Sequence, residues 1–433
     1  MDLLTANDVP GEYPPSYYAA NATTLPPFPT ATGALRCDVC VIGGGFTGLS
    51  SALHLAQRGY DVILVEASRI GSGASGRNGG QVGQGQRQEQ DVLEDMLGRD
   101  HARALWTIAN QSVDLVRDLS KSELVHADFH PGIIHAAHRE RYVPDYHAYV
   151  EKLHRDYGYN QISTLNRHEL REFVNSPSYY GGTLDLGAGH IDPLQFALGL
   201  ARMAQQAGVR LFENTRVTQI VEGTPAKIIT QNADITSDHV VLGCNGYLGD
   251  LMPRVAARVM PINNFVVATA PMHPDQQEQI IKHNYAVADS KFVVNYFRFS
   301  IDHRLIFGGT ESYGYKFPHD IAKNVRKPLA EIFPQLADAD ITHAWGGTLG
   351  ITMNRMPHFE RIAGNILSLS GYSGHGVAMA TLAGQIAAET IAGQAERFDL
   401  MADVPTHRFP GGRHLRSPLL VLAMLWYSLR DRL

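Results

Sequence analysis

An apolar run of strand length, Cys37-Asp-Val-Cys-Val-Ile-Gly43, leads into Gly43-Gly-Gly45-Phe-Thr-Gly48. A helical pattern follows, with Leu49, Ala52, Leu53 and Ala56 on one face. Gly59 stands where a left-handed residue ends such a helix, and Asp61-Val-Ile-Leu-Val-Glu66 follows as a second strand. Strand, glycine turn, helix, strand and acidic residue in this register make a βαβ unit suited to a dinucleotide. Gly43 permits the tight turn, Gly45 lets the backbone approach a pyrophosphate, and Gly48 lets the helix lie close on the strand. The helix N-terminus offers amides and a positive dipole end to the phosphates, and Glu66 meets the adenosine ribose.

Five residues beyond Glu66, Gly71-Ser-Gly-Ala-Ser-Gly-Arg-Asn-Gly-Gly80 is too rich in glycine for an ordinary Rossmann repeat. Placed just after Glu66, it reads as a second backbone-lined contact with the dinucleotide, around Arg77 and Asn78. Helices are expected over 92–119, 142–157, 167–174, 193–207 (Asp192 as N-cap, Pro193 at N1) and 318–333. Strands are expected over 129–137, 183–186, 209–221, 227–230, 235–242, 265–269, 292–300, 305–309, 341–346 and 366–369. Gly371-Tyr-Ser-Gly374-His-Gly376 then opens a small-residue helix from Val377 to Ile391, whose N-terminus is another anion-stabilising pole.

The other function classes narrow quickly. Of 433 residues 44% are apolar and the net charge is −6, so there is material for two or three domains and no basic surface for nucleic acid. Three cysteines, Cys37, Cys40 and Cys244, cannot build a disulfide framework and point to a reducing, cytoplasmic setting. Cys37 and Cys40 have CxxC spacing but no completing ligands, and on a regular strand they face opposite ways. His126, Asp128 and His130 spread too far along an extended segment to share an ion, so no metal is expected. The N-terminus lacks the apolar core of a secretory signal, and no run is long enough to span a bilayer. The apolar segment Pro418 to Leu429, flanked by arginines, packs on protein or lies on a membrane surface.

The opening segment, from Cys37 to Val82, resembles the D-amino-acid oxidase-like family of FAD-dependent amine oxidoreductases. SYYAA at 16–20, GAGHIDP at 187–193, RMPHF at 355–359, GYSGHG at 371–376, AERFD at 395–399, FPGGR at 409–413 and the terminal YSLRDRL extend the likeness. This narrower set is similar to the polyamine-degrading branch of that family. The resemblance implies an α/β fold: a discontinuous Rossmann-like FAD domain and a substrate domain built on an antiparallel sheet. The divisions expected are an extension at 1–35, FAD-domain parts at 36–94, 188–258 and 346–433, and substrate-domain parts at 95–187 and 259–345.

Carried over to this chain, the resemblance puts Gly43, Gly45, Phe46, Thr47 and Gly48 on the diphosphate and Glu66 with Ala67 at the ribose. Ala74, Ser75, Arg77, Asn78, Gly79, Gly80 and Gln81 line the flavin side, and Val217 holds the adenine end. Gly374, His375, Gly376 and Val377 stand near the flavin N1–C2=O edge, where negative charge develops on reduction. FAD is expected to be non-covalent, since no cysteine follows Cys244. The resemblance implies, as substrate, a small primary amine of the γ-glutamylputrescine type, expected to be oxidised by hydride transfer to N5 and released as aldehyde and ammonia. Candidate wall residues are Tyr296, Arg298, Trp345, Tyr372 and His375.

Two departures matter. Amino-acid-oxidising relatives carry an arginine in a Gly-Leu-Arg-Pro turn to fork the substrate carboxylate; here the matching turn reads Gly347-Thr-Leu-Gly350. This disfavours a sarcosine- or glycine-type oxidase and leaves Arg298 or Arg355 to meet any glutamyl carboxylate. The strand Arg304-Leu-Ile-Phe307 also lacks the lysine that some oxidases place against the flavin, so dioxygen, a quinone and a carrier protein all stay open as acceptors. A flavin-binding component without turnover is the remaining alternative, and the oligomeric state is not set by these residues.

Overall fold

The computed structural model describes residues 2–410, so the segment 418–429 and the terminal YSLRDRL lie outside the described residues. Two sheets organise the chain. The first runs in the order His358–Ala363, Ile366–Ser370, Ala233–Leu242, Gly33–Ile42, Val62–Val65, Arg210–Phe212. Its central strands are parallel, as βαβ crossovers require, and antiparallel strands Ala226–Thr230 and Val217–Val221 extend one side. Val39, Val41, Leu49, Leu53, Val62 and Leu64 pack with the Pro193–Gln206 and Gly376–Ile391 helices into one core, while Cys40, Ile42, Ile63 and Val240 pack into another. Parallel strands covered on both faces read as continuous apolar runs, which is why 37–43 and 61–66 are so visible.

The second sheet runs Ile341–Ile351, Met260–Thr269, Leu305–Ser312, Tyr296–Phe299, Ala286–Asp289, His130–Ala136, Gly182–His190, Gln81–Val82, with Ile162–Leu165 also on Gly182–His190. It is mixed rather than wholly antiparallel, because Ala286–Asp289 pairs parallel to His130–Ala136. Those two strands are joined through the first sheet, so no hairpin dictates their direction.

Several elements differ from the sequence pattern for identifiable reasons. The single helix expected over 92–119 is broken at Gly98, φ +85°, into Gln90–Leu97 and Arg99–Ser120. The strand expected over 209–221 divides into Arg210–Phe212 and Val217–Val221. There the chain turns so that the Glu213 carboxylate can accept the amides of Ile70 (2.7 Å) and Phe28 (3.0 Å). Only Tyr296–Phe299 of 292–300 pairs in the sheet, which leaves Phe292 in a loop. Gly347–Gly350 is not a turn: it continues the Ile341–Ile351 strand, opposite Asn264 to Pro261. Cys37 and Cys40 face the same core, not opposite sides. The amides of Asp38 and Val39 both donate to the Asp61 carbonyl (3.0 and 3.1 Å), a bulge that resets the alternation. All three cysteines are free. Among the described residues no helix is long and apolar enough to cross a membrane.

Candidate active site

The Phe46–Gln57 helix starts immediately beyond the Gly33–Ile42 strand. Gly43 has φ +110°, and a Cβ on Gly48 would stand 1.8 Å from the Gly43 carbonyl oxygen. Only hydrogen fits where helix and strand backbones approach this closely. Ser75 Oγ accepts the Phe46 amide at 3.0 Å and would stand 2.8 Å from a Cβ on Gly45. The loop carrying Ser75 therefore leans on the glycine turn. Glu66 accepts the amides of Gly44 (2.7 Å) and Ser68 (2.8 Å). Burial raises its pKa, and those amides oppose the rise.

The Gly376–Ile391 helix crosses the Phe46–Gln57 helix at small residues. Ser50 Oγ donates to the Thr381 carbonyl at 2.6 Å, and a Cβ on Gly384 would lie 2.5 Å from the Ser51 nitrogen. Just ahead of that helix, the Tyr372 hydroxyl lies 2.7 Å from Thr47 Oγ1. The two glycine-rich stretches, more than three hundred residues apart in sequence, therefore meet.

Between the sheets lies a cavity of about 1830 Å³. A single small-molecule site occupies roughly 300–1,000 Å³, so this space can hold a dinucleotide together with a substrate. From the first sheet it is lined by Gly43, Gly45, Phe46, Thr47, Glu66, Ala67 and Val217, and from the connecting segments by Ala74, Ser75, Arg77, Asn78, Gly79, Gln81, Gly374, His375, Gly376 and Val377. The glycine cradle, the helix-terminal amides and the half-buried Glu66 carboxylate are groups of the kind that suit a dinucleotide such as FAD. Gly48 and Gly80 are not in the wall. Gly48 lies beneath the turn, and Gly80 faces the Ile191 carbonyl and the Arg298 side chain.

Among the substrate-wall candidates, Tyr296, Tyr372 and His375 line the cavity, whereas Arg298 and Trp345 do not. Arg298 is buried and donates to the carbonyls of Gly79 (2.7 Å), Ile191 (2.9 Å) and Phe299 (3.1 Å) and to the Tyr18 hydroxyl (3.2 Å). It shares a strand face with Tyr296, but the 79–80 loop and Tyr18 cover it. Trp345 donates to the Arg77 carbonyl at 2.9 Å and packs edge-on against Tyr18. Arg77 reaches the wall, yet its guanidinium is used up by the Ser72 carbonyl (2.5 Å), Asp8 (2.9 Å) and the Gly346 carbonyl (3.2 Å). Asn78 spans its own loop, donating to the carbonyls of Ala74 and Ser75 and accepting from the Gly80 amide. The Tyr296 hydroxyl donates to Asn264 Oδ1 at 2.5 Å, and burial holds its pKa far above the ordinary phenol value.

His375 Nε2 lies 2.9 Å from the Gln84 carbonyl and 3.2 Å from that of Gly83, so Nε2 carries the proton and Nδ1 the lone pair. Burial, then the charge of Arg87, pushes its pKa down to about 4. His135, also in the wall, is brought to about 4 by burial, His375 and Arg87. Both are neutral at pH 7. As pH falls below roughly 6.5, the unfolded chain takes protons that the folded chain refuses, so stability declines toward pH 4 and levels off below it. The loss is expected to reach about 3 kcal/mol per histidine. Replacing either by glutamine should flatten the slope of Tm against pH between 6.5 and 4.5, and an unchanged slope in both variants would overturn the assignment.

Sequence reasoning missed His135, Arg87 and Glu311, all in the cavity wall. Arg87 lies in a polar stretch, Gln84-Gly-Gln-Arg-Gln-Glu89, that carries no periodic signal. His130, in the cluster weighed for a metal, stacks on His190 and meets Asp128 at 3.1 Å. Among the described residues no group of three such side chains could hold an ion.

The family model described as FAD dependent oxidoreductase (DAO) matches residues 38–390. The chain is 42% identical over 418 residues to "Probable oxidoreductase OrdL" of Rhizobium meliloti, covering 96% of this chain and 97% of that protein. It is 41% identical over 423 residues to the γ-glutamylputrescine oxidoreductase of Escherichia coli K12, covering 98% and 99%. Among solved structures, glycine oxidase from Geobacillus kaustophilus superposes with a TM-score of 0.71 at 22% identity, covering 86% of this chain and 99% of that one, which speaks to the fold.

Proposed function

Because this chain belongs to the FAD dependent oxidoreductase family, we propose that it oxidises the terminal primary amine of a γ-glutamylputrescine-type compound to an aldehyde, releasing ammonia. The observation that carries this reading is the near-full-length similarity to the E. coli enzyme of that name. The strand segment Gly347-Thr-Leu-Gly350 supports it, since it offers no guanidinium to an α-carboxylate beside the reacting carbon.

When bound, FAD supplies the electron sink, taking a hydride from the carbon next to nitrogen. The residues of the chain do the rest. An ammonium has no lone pair to drive hydride loss, so the wall has to favour the neutral amine. Tyr296, Tyr372 and Phe292 give it an aromatic lining, and desolvation there lowers an amine's pKa. His135 and His375 stay uncharged, and the Nδ1 lone pair of His375 is an acceptor for a substrate proton. The first-turn amides of the Gly376–Ile391 helix have no intrahelical acceptor and offer hydrogen bonds and a positive dipole end to developing negative charge. Water adding to the released imine yields aldehyde and ammonia.

Anaerobic mixing of the yellow holoprotein with an amine panel tests this. γ-Glutamylputrescine is expected to bleach the flavin absorbance fastest, ahead of N-acetylputrescine and putrescine. Bleaching by glycine or sarcosine instead would make the chain an amino-acid oxidase, and no bleaching by any of them would leave it a flavin carrier.

A further inference from the structure

Residues 2–12 precede the stretch that the family model matches, yet they reach the cofactor cavity, whose wall includes Asp2, Leu3, Leu4 and Asp8. They form no helix or strand, so their place is set by what their side chains and amides bond to elsewhere in the chain. Leu3 is buried and, with Leu4, turns an apolar surface to the cavity.

One bank of the cavity is the side that carries Glu66. There Asp2 accepts from Arg216, the Gly11 amide donates to Ser68 Oγ at 3.1 Å, and Asp8 accepts from Arg77 Nη1 at 2.9 Å. Ser68, Arg77 and Arg216 all stand in the wall. The other bank is the loop between the Leu305–Ser312 strand and the Ile321–Ile332 helix, where Tyr315 reaches the wall. Here Asn7 makes the attachment. Its side-chain nitrogen donates to the Tyr315 carbonyl and its Oδ1 accepts the Phe317 amide, both at 2.7 Å. A carboxamide used in this way pairs with the loop as a second peptide group would.

Both attachments end on fixed structure. Phe317 packs edge-on against Phe265 and lies so close to Gly346 that a Cβ there would stand 2.8 Å from the ring. From the opposite side Arg77 donates to the Gly346 carbonyl at 3.2 Å. Asn7 and Asp8, adjacent in sequence, thus complete a closed circuit through Phe317, Gly346 and Arg77. That circuit joins the glycine-rich 71–80 loop to the 313–320 loop, and the two belong to different halves of the molecule.

We propose that residues 2–12 are a strap across the cofactor cavity, clasped at Asn7, which has to lift for FAD to enter or leave. The strap completes the dinucleotide site with residues from outside the family's common domain, and it acts on cofactor exchange whichever amine is oxidised. Its fastening is made of a few ordinary hydrogen bonds and one ion pair, so it opens without unfolding either sheet. Losing the two Asn7 bonds should raise the open fraction about tenfold or more.

The test follows FAD exchange by flavin fluorescence: release from the diluted holoprotein, and uptake by the full-length apoprotein. In Asn7→Ala both rates should rise about tenfold or more, because a strap obstructs both directions. Val9→Ala, at an exposed position of the same segment, should leave both within about twofold of wild type. Wild-type rates in Asn7→Ala would overturn the proposal. Faster release without faster uptake would also overturn it, since that is the mark of a residue that merely steadies the wall. Equal acceleration in Val9→Ala would remove the clasp from Asn7. Neither rate involves an amine, so these outcomes leave the amine-oxidation reading as it was, and a failure of amine bleaching would leave the strap.

Discussion

A chain carrying Gly48→Ala is expected to purify without FAD and to unfold at a much lower temperature. The added Cβ would stand 1.8 Å from the Gly43 carbonyl oxygen and 3.0 Å from its carbon. Both are backbone atoms, so no side-chain rotation relieves the clash, and the Phe46–Gln57 helix must back away from the Gly33–Ile42 strand. Retreat is blocked on another side, where Gly384 brings the Gly376–Ile391 helix against the backbone of Thr47 and Ser51. Overpacking of this kind costs about 3 kcal/mol, the upper end of the usual range. The same displacement carries the helix amides off the diphosphate position, so cofactor binding and stability fail together. Flavin absorbance relative to protein absorbance reads the first and thermal unfolding the second. Flavin content equal to wild type would mean that the helix yields and that the close approach is not why the glycine is there.

Arg298→Leu is expected to destabilise the fold by about 3 kcal/mol or more, without a matching loss of affinity for the amine. Leucine fills much of the space but leaves the Gly79 and Ile191 carbonyls, now bonded at 2.7 and 2.9 Å, without their donor inside the protein. Unsatisfied buried acceptors cost about 1–3 kcal/mol each, and hydrogen bonds to a charged donor are the stronger kind. The loop that presents Gly79 to the cavity loses its anchor to the Tyr296–Phe299 strand. Thermal unfolding and amine titration of the folded fraction separate the possibilities. A preserved melting temperature with collapsed affinity would return Arg298 to the substrate wall.

These two residues mark where sequence reasoning reaches and where it stops. Gly48 is legible because its constraint is local: the strand, the turn and the helix that force it are contiguous, and the glycine spacing records their closest approach. Glu66 is legible for the same reason, and so is the 376–391 helix, whose run of small residues announces close packing. Arg298 is half legible. The period-two rule puts it correctly on the face of Tyr296, but it cannot say what lies above that face. Tyr18, nearly three hundred residues earlier, and the 79–80 loop cover the guanidinium, and Tyr18 with the Arg77 carbonyl encloses Trp345. The Cys37–Cys40 pair fails in a related way, since a bulge at Asp38 and Val39 leaves no trace in composition.

Sequence alone therefore determined the βαβ unit, the dinucleotide it cradles and the second glycine-rich stretch that closes on it, because backbone clearance leaves a glycine signature that needs no partner to be read. Only the tertiary structure decided which charged side chains reach the cavity. Arg298 is covered and held by carbonyls brought from elsewhere in the chain, while Arg87 and Arg355, left-handed on separate loops, line the wall. A guanidinium's role depends on the acceptors that surround it, and those acceptors come from segments far away in sequence.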